Sequence, residues 1–145
     1  MLKAVIDTNV LISAVLSKSG TPAEILNRWR KRLFIVATSE TAIQEAQRVL
    51  DDLGSRGRYD LPSGEISKFI QLLRKEAQFV SGQIAVSGII PQDETDEIFL
   101  AIALEVNADV IVSGDKHLLE LGKFNNIPIL TPRQFLDLLA KELHE

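Results

Sequence analysis

Four short runs of apolar, largely β-branched residues divide the sequence and constrain its fold more than any other feature. They cover residues 4–6, 34–37, 110–112 and 127–130. Runs of this length without alternating polar residues are typical of strands buried on both faces of a parallel sheet. Helical patterns lie between the runs, so strands and helices alternate along the chain. The sequence therefore predicts an α/β fold with a central parallel sheet and helices on both faces.

Start signals place the helices between these strands. Thr21, Pro22 and Glu24 predict a helix in which Thr21 is the N-cap and Glu24 completes a capping box. The segment from Thr131 to Gln134 repeats this signature at the start of the last helix. Further helices are expected over residues 10–16, 40–52, 97–106 and 116–121, and another begins at residue 63. Residues 93–96 open the helix over 97–106. A short strand is expected at 79–80 and a loop over 52–60.

The composition is that of a soluble globular protein. Of the 145 residues, 46% are apolar and 25% are charged. We expect one domain over residues 1–145, which is long enough to bury a core. No segment has the length of a membrane span and none resembles a targeting signal, so we expect the protein in the cytoplasm.

Residue usage also restricts the kinds of site that the chain can build. Cysteine is absent, which excludes disulfides and thiolate metal sites. The two histidines, His117 and His144, are too few for a histidine-rich zinc site. A metal would therefore be held mainly by oxygen, which favours Mg²⁺ or Mn²⁺. The net charge of −4 excludes a polycation that coats nucleic acid, so nucleic-acid binding would need local basic patches or bound metal ions.

Two acidic residues follow predicted strands directly. Asp7 ends the first apolar run and begins the triplet Asp-Thr-Asn, and Asp115 follows the run 110–112 after Ser113 and Gly114. In open α/β sheets, ligands bind beyond the carboxyl ends of the strands. Asp7 is therefore a candidate site residue, with N-capping of the next helix as the alternative interpretation.

Further acids lie on or beside predicted helices. Glu45 falls at the edge of its helix's apolar stripe, whereas Glu40 falls on the opposite, solvated face. Asp96 shares the helical phase of the apolar residues that follow it, so its side chain is expected to face the core. A buried carboxylate must find a cation or a proton. Asp93 has two open roles, as the cap of that helix or as part of a metal site.

These positions predict a common site if the strands that precede Asp7 and Asp115 are neighbours. Glu45 and Asp96 would then converge on the same cleft. Converging carboxylates repel each other, and a divalent cation removes that repulsion. Paired metal ions held by such acids activate water and stabilise the leaving oxygen in phosphodiester hydrolysis, so no side-chain nucleophile is needed.

Basic residues are concentrated in two segments. Residues 28–32 contain four cations, which are typical of a solvated helix face and alternatively contact phosphates or a partner. Arg56 and Arg58 flank glycine and precede Tyr59, a combination that suits either an exposed surface loop or a loop that grips single-stranded nucleic acid. We predict Arg48, Arg56 and Arg58 as substrate contacts.

In these blocks the chain resembles the PIN-domain ribonucleases, in particular the VapC-like toxins of prokaryotic toxin–antitoxin pairs. The resemblance runs from Val5 to about Thr131. It is carried by residues 5–11, by Ser39 with Glu45 and 48–50, by Asp96 with 99–101, and by 108–115 with 118–119.

The resemblance implies a fold, a site and an activity. The fold is a three-layer α/β/α sandwich with a central parallel sheet, and the activity is hydrolysis of RNA with Mg²⁺ or Mn²⁺. It also implies a homodimer and a small antitoxin protein that blocks the cleft. The implied site consists of the acids Asp7, Glu45, Asp96 and Asp115, supported through hydrogen bonds by Asn9 and Ser113.

Two other functions remain open on the sequence. One is a phosphatase of the haloacid-dehalogenase-like kind, in which a strand-end aspartate is the nucleophile; such enzymes usually carry a second acid two residues later, where this chain has Asn9. The other is a non-catalytic module that binds RNA or a protein. The presence of all four acids favours the nuclease over this second alternative.

Overall fold

The computed structural model describes the backbone of residues 1–17, 19–55, 63–81 and 94–143, and their side chains except at positions 54, 55, 63, 94–97 and 143. Within these residues no helix is both long and apolar enough to cross a membrane. Along the chain the elements are β1 (Lys3–Ile6), α1 (Thr8–Leu16), α2 (Thr21–Arg30), β2 (Ile35–Ser39), α3 (Glu40–Ser55), α4 (Ser63–Glu76), β3 (Gln78–Val80), α5 (Glu94–Val106), β4 (Val110–Val112), α6 (Lys116–Leu121), β5 (Lys123–Phe124), β6 (Ile127–Leu130) and α7 (Pro132–Leu143).

The strands form a sheet in the order β3-β2-β1-β4-β6-β5. The pairs from β3 to β6 are parallel, as the continuous apolar runs predict, and β5 alone is antiparallel to its neighbour. β1 lies in the middle and pairs with β2 on one side and β4 on the other. The order of the strands therefore makes the two strands that precede Asp7 and Asp115 neighbours.

Two hydrophobic cores lie on opposite faces of this sheet. Ala4 and Ile6 of β1 pack in one core with Trp29, among residues from α1, α2, α4 and α7. Val5 points to the other face and packs with Leu100, among residues from α5 and α6. α3 contributes side chains to both cores. This confirms the predicted three-layer α/β/α fold with a central, mostly parallel sheet.

One of the two predicted capping boxes forms and the other does not. Gln134 donates its backbone N–H to Thr131 Oγ1 at 3.1 Å, and Gln134 Oε1 accepts from the Thr131 N–H at 2.9 Å, which confirms the box that begins α7. The prediction that Thr21 caps α2 was wrong. Gly20 is the N-cap residue, and the carboxylate of Glu24 pairs with Arg28 at 2.9 Å.

Several boundaries differ from the sequence-based expectation. α1 begins at Thr8 and not at Val10, and α3 continues to Ser55 where a loop was expected from residue 52. A single glycine near a helix end costs only about 1 kcal/mol relative to alanine, which is too little to terminate α3 at Gly54. α5 begins at Glu94, earlier than the predicted 97.

The hairpin between β5 and β6 was not predicted. Its two-residue turn consists of Asn125 and Asn126, and both have positive φ, at 49° and 65°. Asparagine tolerates this left-handed conformation better than most residues, and positive φ at both central positions is what a tight hairpin turn of type I′ requires. The Asn-Asn pair was therefore the available signal for β5.

Candidate active site

The sheet register brings the two strand-end acids to the same edge. Ile6 of β1 is paired with Val112 of β4, and the backbone N–H of Asp7 donates to the Val112 carbonyl at 2.9 Å. Asp7 and Ser113 therefore follow directly on paired residues. The chain then needs only Gly114 to reach Asp115, so both acids lie at the carboxyl edge of the sheet.

The hydroxyl of Ser113 connects the two acids. Ser113 Oγ donates to Asp7 Oδ2 at 2.7 Å and accepts from the backbone N–H of Asp115 at 2.9 Å. Ser113 has no solvent-exposed surface, and its hydrogen bond to Asp7 is buried, so water does not compete for that bond. The predicted supporting role of Ser113 thus has a specific geometry in this structure.

Asp7 is a buried carboxylate with an N-capping role. The residue is 3% exposed, and Oδ1 accepts from the backbone N–H of Asn9 at 3.2 Å. The site interpretation and the capping interpretation therefore describe the same side chain, because one oxygen caps α1 and the other meets Ser113. Asn9 contributes its backbone N–H to this arrangement, and the residue itself is exposed.

Asp115 lies half-buried at the mouth of the site. Its Oδ1 accepts from the backbone N–H groups of His117 at 2.8 Å and Leu118 at 3.2 Å, and so caps α6. Among the described residues, Oδ2 of Asp115 has no hydrogen-bond donor. One oxygen thus fixes the orientation of the carboxylate while the other is available to a ligand.

Glu45 has the half-buried position that its helical phase predicts. Its side chain is 23% exposed and accepts two hydrogen bonds from Arg48, from Nη2 at 2.7 Å and from Nε at 3.3 Å. This pairing raises the pKa of the Arg48 guanidinium. Glu40 is exposed, as predicted, and is bound to Arg74 of α4. In this structure Arg48 therefore neutralises Glu45, and a substrate phosphate would have to compete with Glu45 for Arg48.

The remaining predicted site residues are only partly described. Asp96 lies in the first turn of α5, and its side chain is outside the described part of the structure. The end of α5 leads into β4 at the amino edge of the sheet, where the Asp109 N–H donates to the Lys3 carbonyl. The start of α5, with Asp96, therefore lies toward the carboxyl edge that holds Asp7. Asp93, Arg56 and Arg58 lie outside the described residues.

Within the described residues no three histidine, cysteine, aspartate or glutamate side chains lie close enough to hold a metal ion. Asp7, Glu45 and Asp115 therefore do not form a complete site without a further ligand. The donors that Asp7, Asp115 and Ser113 bring to the strand ends are all oxygens, which are the ligands that Mg²⁺ and Mn²⁺ prefer. The donor set thus fits a hard divalent cation that has at least one more acidic ligand.

Thr8 is a site neighbour that the sequence interpretation passed over. It is 5% exposed, and its Oγ1 makes no hydrogen bond with the described residues. A buried hydroxyl without a partner costs roughly 1–3 kcal/mol, so such groups usually mark a bound water or ligand. The signal in the sequence was its place between Asp7 and Asn9 in a triplet otherwise made of site residues.

An open cleft of about 370 Å³ is lined in part by Asp115. The rest of its lining comes from α1, from the first turns of α2 and α7 and from residues 114 and 116 at the start of α6. Its lining residues are Asn9, Val10, Ser13, Pro22, Gly114, Asp115, Lys116 and Pro132.

Comparison with known proteins identifies similar sequences and a similar fold. A family model described as PIN domain matches residues 3–117, a stretch that contains all four predicted acids. The protein MJ1680 of Methanocaldococcus jannaschii is 29% identical over 156 aligned residues, which cover 97% of this chain and 93% of the relative.

A chain in the crystal structure of VapBC2 from Rickettsia felis bound to a DNA fragment from their promoter superposes with a TM-score of 0.60. The superposition covers 90% of this chain and 98% of the other at 10% sequence identity. At that identity the likeness concerns the fold alone.

Proposed function

The chain belongs to the PIN-domain family, and from this premise we propose that it is a metal-dependent ribonuclease and the toxin of a toxin–antitoxin pair. The observation that carries the proposal is the Ser113 bridge, with Oγ 2.7 Å from Asp7 Oδ2 and 2.9 Å from the Asp115 backbone nitrogen. The bridge connects two acids that follow neighbouring strands, and open α/β sheets bind their ligands beyond such strand ends.

In this proposal Asp7, Asp115, Glu45 and Asp96 hold Mg²⁺ or Mn²⁺ within a single nuclease domain. Such an ion, when bound, lowers the pKa of an attacking water and offsets the negative charge that develops on a phosphodiester. Asp7 is the rigid member of the set, because hydrogen bonds from the Asn9 backbone and Ser113 hold its two oxygens. Asp115 uses Oδ1 to cap α6, which leaves Oδ2 available to the cation.

Burial gives this arrangement its strength. Asp7 is 3% exposed, so a cation beside it would interact in a medium less polar than water. Glu45, at the edge of the core, would bind the cation after releasing Arg48. Arg48 would then be available to a substrate phosphate. The net charge of −4 makes such local cations necessary for binding a polyanion.

The partners we propose are an RNA substrate, a second copy of this chain and a small antitoxin protein. The structural likeness to a chain of the VapBC2 complex supports an antitoxin partner. If the protein is a toxin, expression of the wild type in a bacterial host arrests growth, whereas expression of the Asp7→Asn variant does not. Sedimentation analysis of the purified chain would establish whether it is a dimer.

The PIN-domain match speaks for a nuclease over the phosphatase alternative, since it covers the chain from residue 3 to residue 117. The position where a haloacid-dehalogenase-like enzyme usually has its second acid holds Asn9, whose backbone N–H donates to the Asp7 side chain. A non-catalytic module would bind RNA without cleaving it.

The proposal is tested by cleavage of end-labelled single-stranded RNA with Mg²⁺ or Mn²⁺. We expect the wild-type protein to cleave, and we expect EDTA, Asp7→Asn or Asp115→Asn to abolish cleavage. Asp137→Asn is the matched control, because Asp137 is an exposed aspartate of α7. An Asp7→Asn protein with full metal-dependent activity would contradict the proposed site, and binding without cleavage by the wild type would favour the non-catalytic module.

A further inference from the structure

The cleft beside Asp115 is lined unevenly in charge. Among its lining residues Asp115 is the only carboxylate and Lys116 is the only cation. Lys116 is exposed and makes no hydrogen bond or ion pair with the described residues. The charge of this lysine is therefore available to an anionic group inside the cleft.

Part of the cleft's lining is apolar and conformationally restricted, and the rest is polar. Pro22 lies in the first turn of α2, and Pro132 is the first residue of α7. The reciprocal hydrogen bonds between Thr131 and Gln134 hold the start of α7 in place. Val10 completes the apolar lining. Apolar surfaces fixed by two prolines, together with polar side chains and a single cation, suit a ligand with a flat or apolar part, hydrogen-bonding groups and one anionic group.

We propose that this cleft holds the nucleotide next to the cleaved bond, and that Lys116 is a positioning residue that binds the phosphate of that nucleotide. The inference rests on the proposed nuclease function and adds the direction in which the strand leaves the acids. The strand passes the starts of α6 and α7, and Glu45 is not among the residues that line this cleft.

Three features of the cleft favour a nucleic-acid strand as its occupant. The cleft is continuous with Asp115, so a chain bound at the acids extends into it without a break. Its volume of about 370 Å³ lies in the range of small-molecule sites, which are roughly 300–1,000 Å³. The acidic groups repel a phosphodiester chain, and Lys116 offsets this repulsion one residue beyond Asp115.

The lysine is tested by steady-state cleavage of single-stranded RNA at several salt concentrations. Lys116→Gln removes the charge and keeps much of the side-chain length, and Lys116→Arg keeps the charge. Lys141→Gln is the matched control, because Lys141 is exposed in the last turn of α7 and its loss changes the net charge equally.

We expect Lys116→Gln to raise KM about three- to tenfold at low salt and to leave kcat within about twofold, because one phosphate contact is lost while the acids stay in place. The salt dependence of log KM should weaken by about 0.7, the value for one phosphate of a single strand. Lys116→Arg should keep KM and its salt dependence close to the wild-type values, and Lys141→Gln should match the wild type.

A second variant tests the location independently of charge. Ser13 is exposed, lines the cleft and donates its hydroxyl to the Asn9 carbonyl at 2.9 Å. Ser13→Phe fills the space between α1 and α6, so we expect it to raise KM as well. A wild-type KM in Ser13→Phe would contradict the path of the strand through the cleft.

The outcomes separate this inference from the proposed function. If the wild type cleaves RNA and Lys116→Gln has the KM and salt dependence of Lys141→Gln, the inference is wrong and the nuclease assignment stands. If the folded wild type neither cleaves nor binds RNA, the proposed function fails and this inference fails with it.

Discussion

At the scale of single residues, the hydroxyl of Ser113 has two hydrogen-bonding roles at once. It donates to Asp7 in a buried hydrogen bond and accepts from the Asp115 backbone in a partly buried one. Only a serine or a threonine offers a donor and an acceptor in one small side chain at this position. The strand register brings the two acids to the same edge of the sheet, and a single oxygen atom then links the Asp7 carboxylate to the Asp115 backbone.

Replacing Ser113 tests this dependence. We expect Ser113→Ala to weaken metal-supported cleavage by about 10- to 100-fold, the range for groups that orient metal ligands. Ser113→Thr should retain most of the activity because it keeps the hydroxyl. The metal concentration that gives half-maximal cleavage is the quantity to measure. Equal values for Ser113→Ala and wild type would show that the bridge does not orient the acids.

At the scale of helices and strands, α2 and α7 are capped differently although both begin with the same start signal. Thr131 satisfies the Gln134 backbone, whereas Gly20 with φ of 102° precedes Thr21 and leaves α2 without a side-chain cap. Both segments begin with Thr-Pro and have a glutamate or a glutamine at the fourth position. Sequence alone therefore could not distinguish the helix that uses its threonine from the one that does not.

This difference predicts unequal effects of the same substitution. Thr131→Ala should lower the free energy of unfolding by about 1 kcal/mol, because it removes the cap of α7. Thr21→Ala should change it by only a few tenths of a kcal/mol, since Thr21 caps nothing. Urea unfolding of the two variants measures both values. A loss at Thr21 as large as the loss at Thr131 would contradict the cap assignment.

A surface ion pair joins α3 to α4. Arg74 Nη2 donates to Glu40 Oε1 at 2.8 Å, and Nη1 binds the other carboxylate oxygen. The hydrogen bonds from Arg74, with its charge, lower the pKa of Glu40. A lowered pKa means that the pair stabilises the folded state above the ordinary glutamate pKa, and that this stabilisation is lost as the pH falls through the lowered value.

We therefore expect Glu40→Gln to be less stable than wild type at pH 7 and equally stable at a pH below the folded-state pKa of Glu40. The difference should shrink in high salt because both side chains are exposed. Urea unfolding at the two pH values measures it, with the exposed Glu65 of α4 replaced by glutamine as the control. A difference that persists at low pH would contradict the ionic origin.

Most helices and strands could be predicted because their signals are local. The apolar runs at β1 and β4 and the stripe of α4 each specify an element within a few residues. The hairpin at Asn125 was missed although its Asn-Asn turn was a signal, because asparagine also occurs in many other turns. The true N-cap of α2 could not be predicted, because it depends on the backbone conformation of Gly20.

At the scale of the whole molecule, the site depends on strand order. Asp7 and Ser113 are separated by 106 residues along the chain and meet because β1 and β4 are adjacent. No local pattern in the sequence specifies that adjacency, so the convergence of the acids was a conditional prediction. The strand order fulfils the condition for Asp7 and Asp115. The joint site with Glu45 and Asp96 stays a prediction.

The central claim is that these acids together bind a divalent cation, and direct Mn²⁺ binding tests it without reference to activity. The loss of the free-Mn²⁺ electron paramagnetic resonance signal on titration with protein gives the affinity. We predict that the wild type and Asp137→Asn bind Mn²⁺ equally, and that Asp7→Asn and Asp96→Asn bind it at least tenfold more weakly. A cooperative urea unfolding transition would show that both of these variants are folded. Wild-type affinity in the folded Asp7→Asn protein would contradict the account.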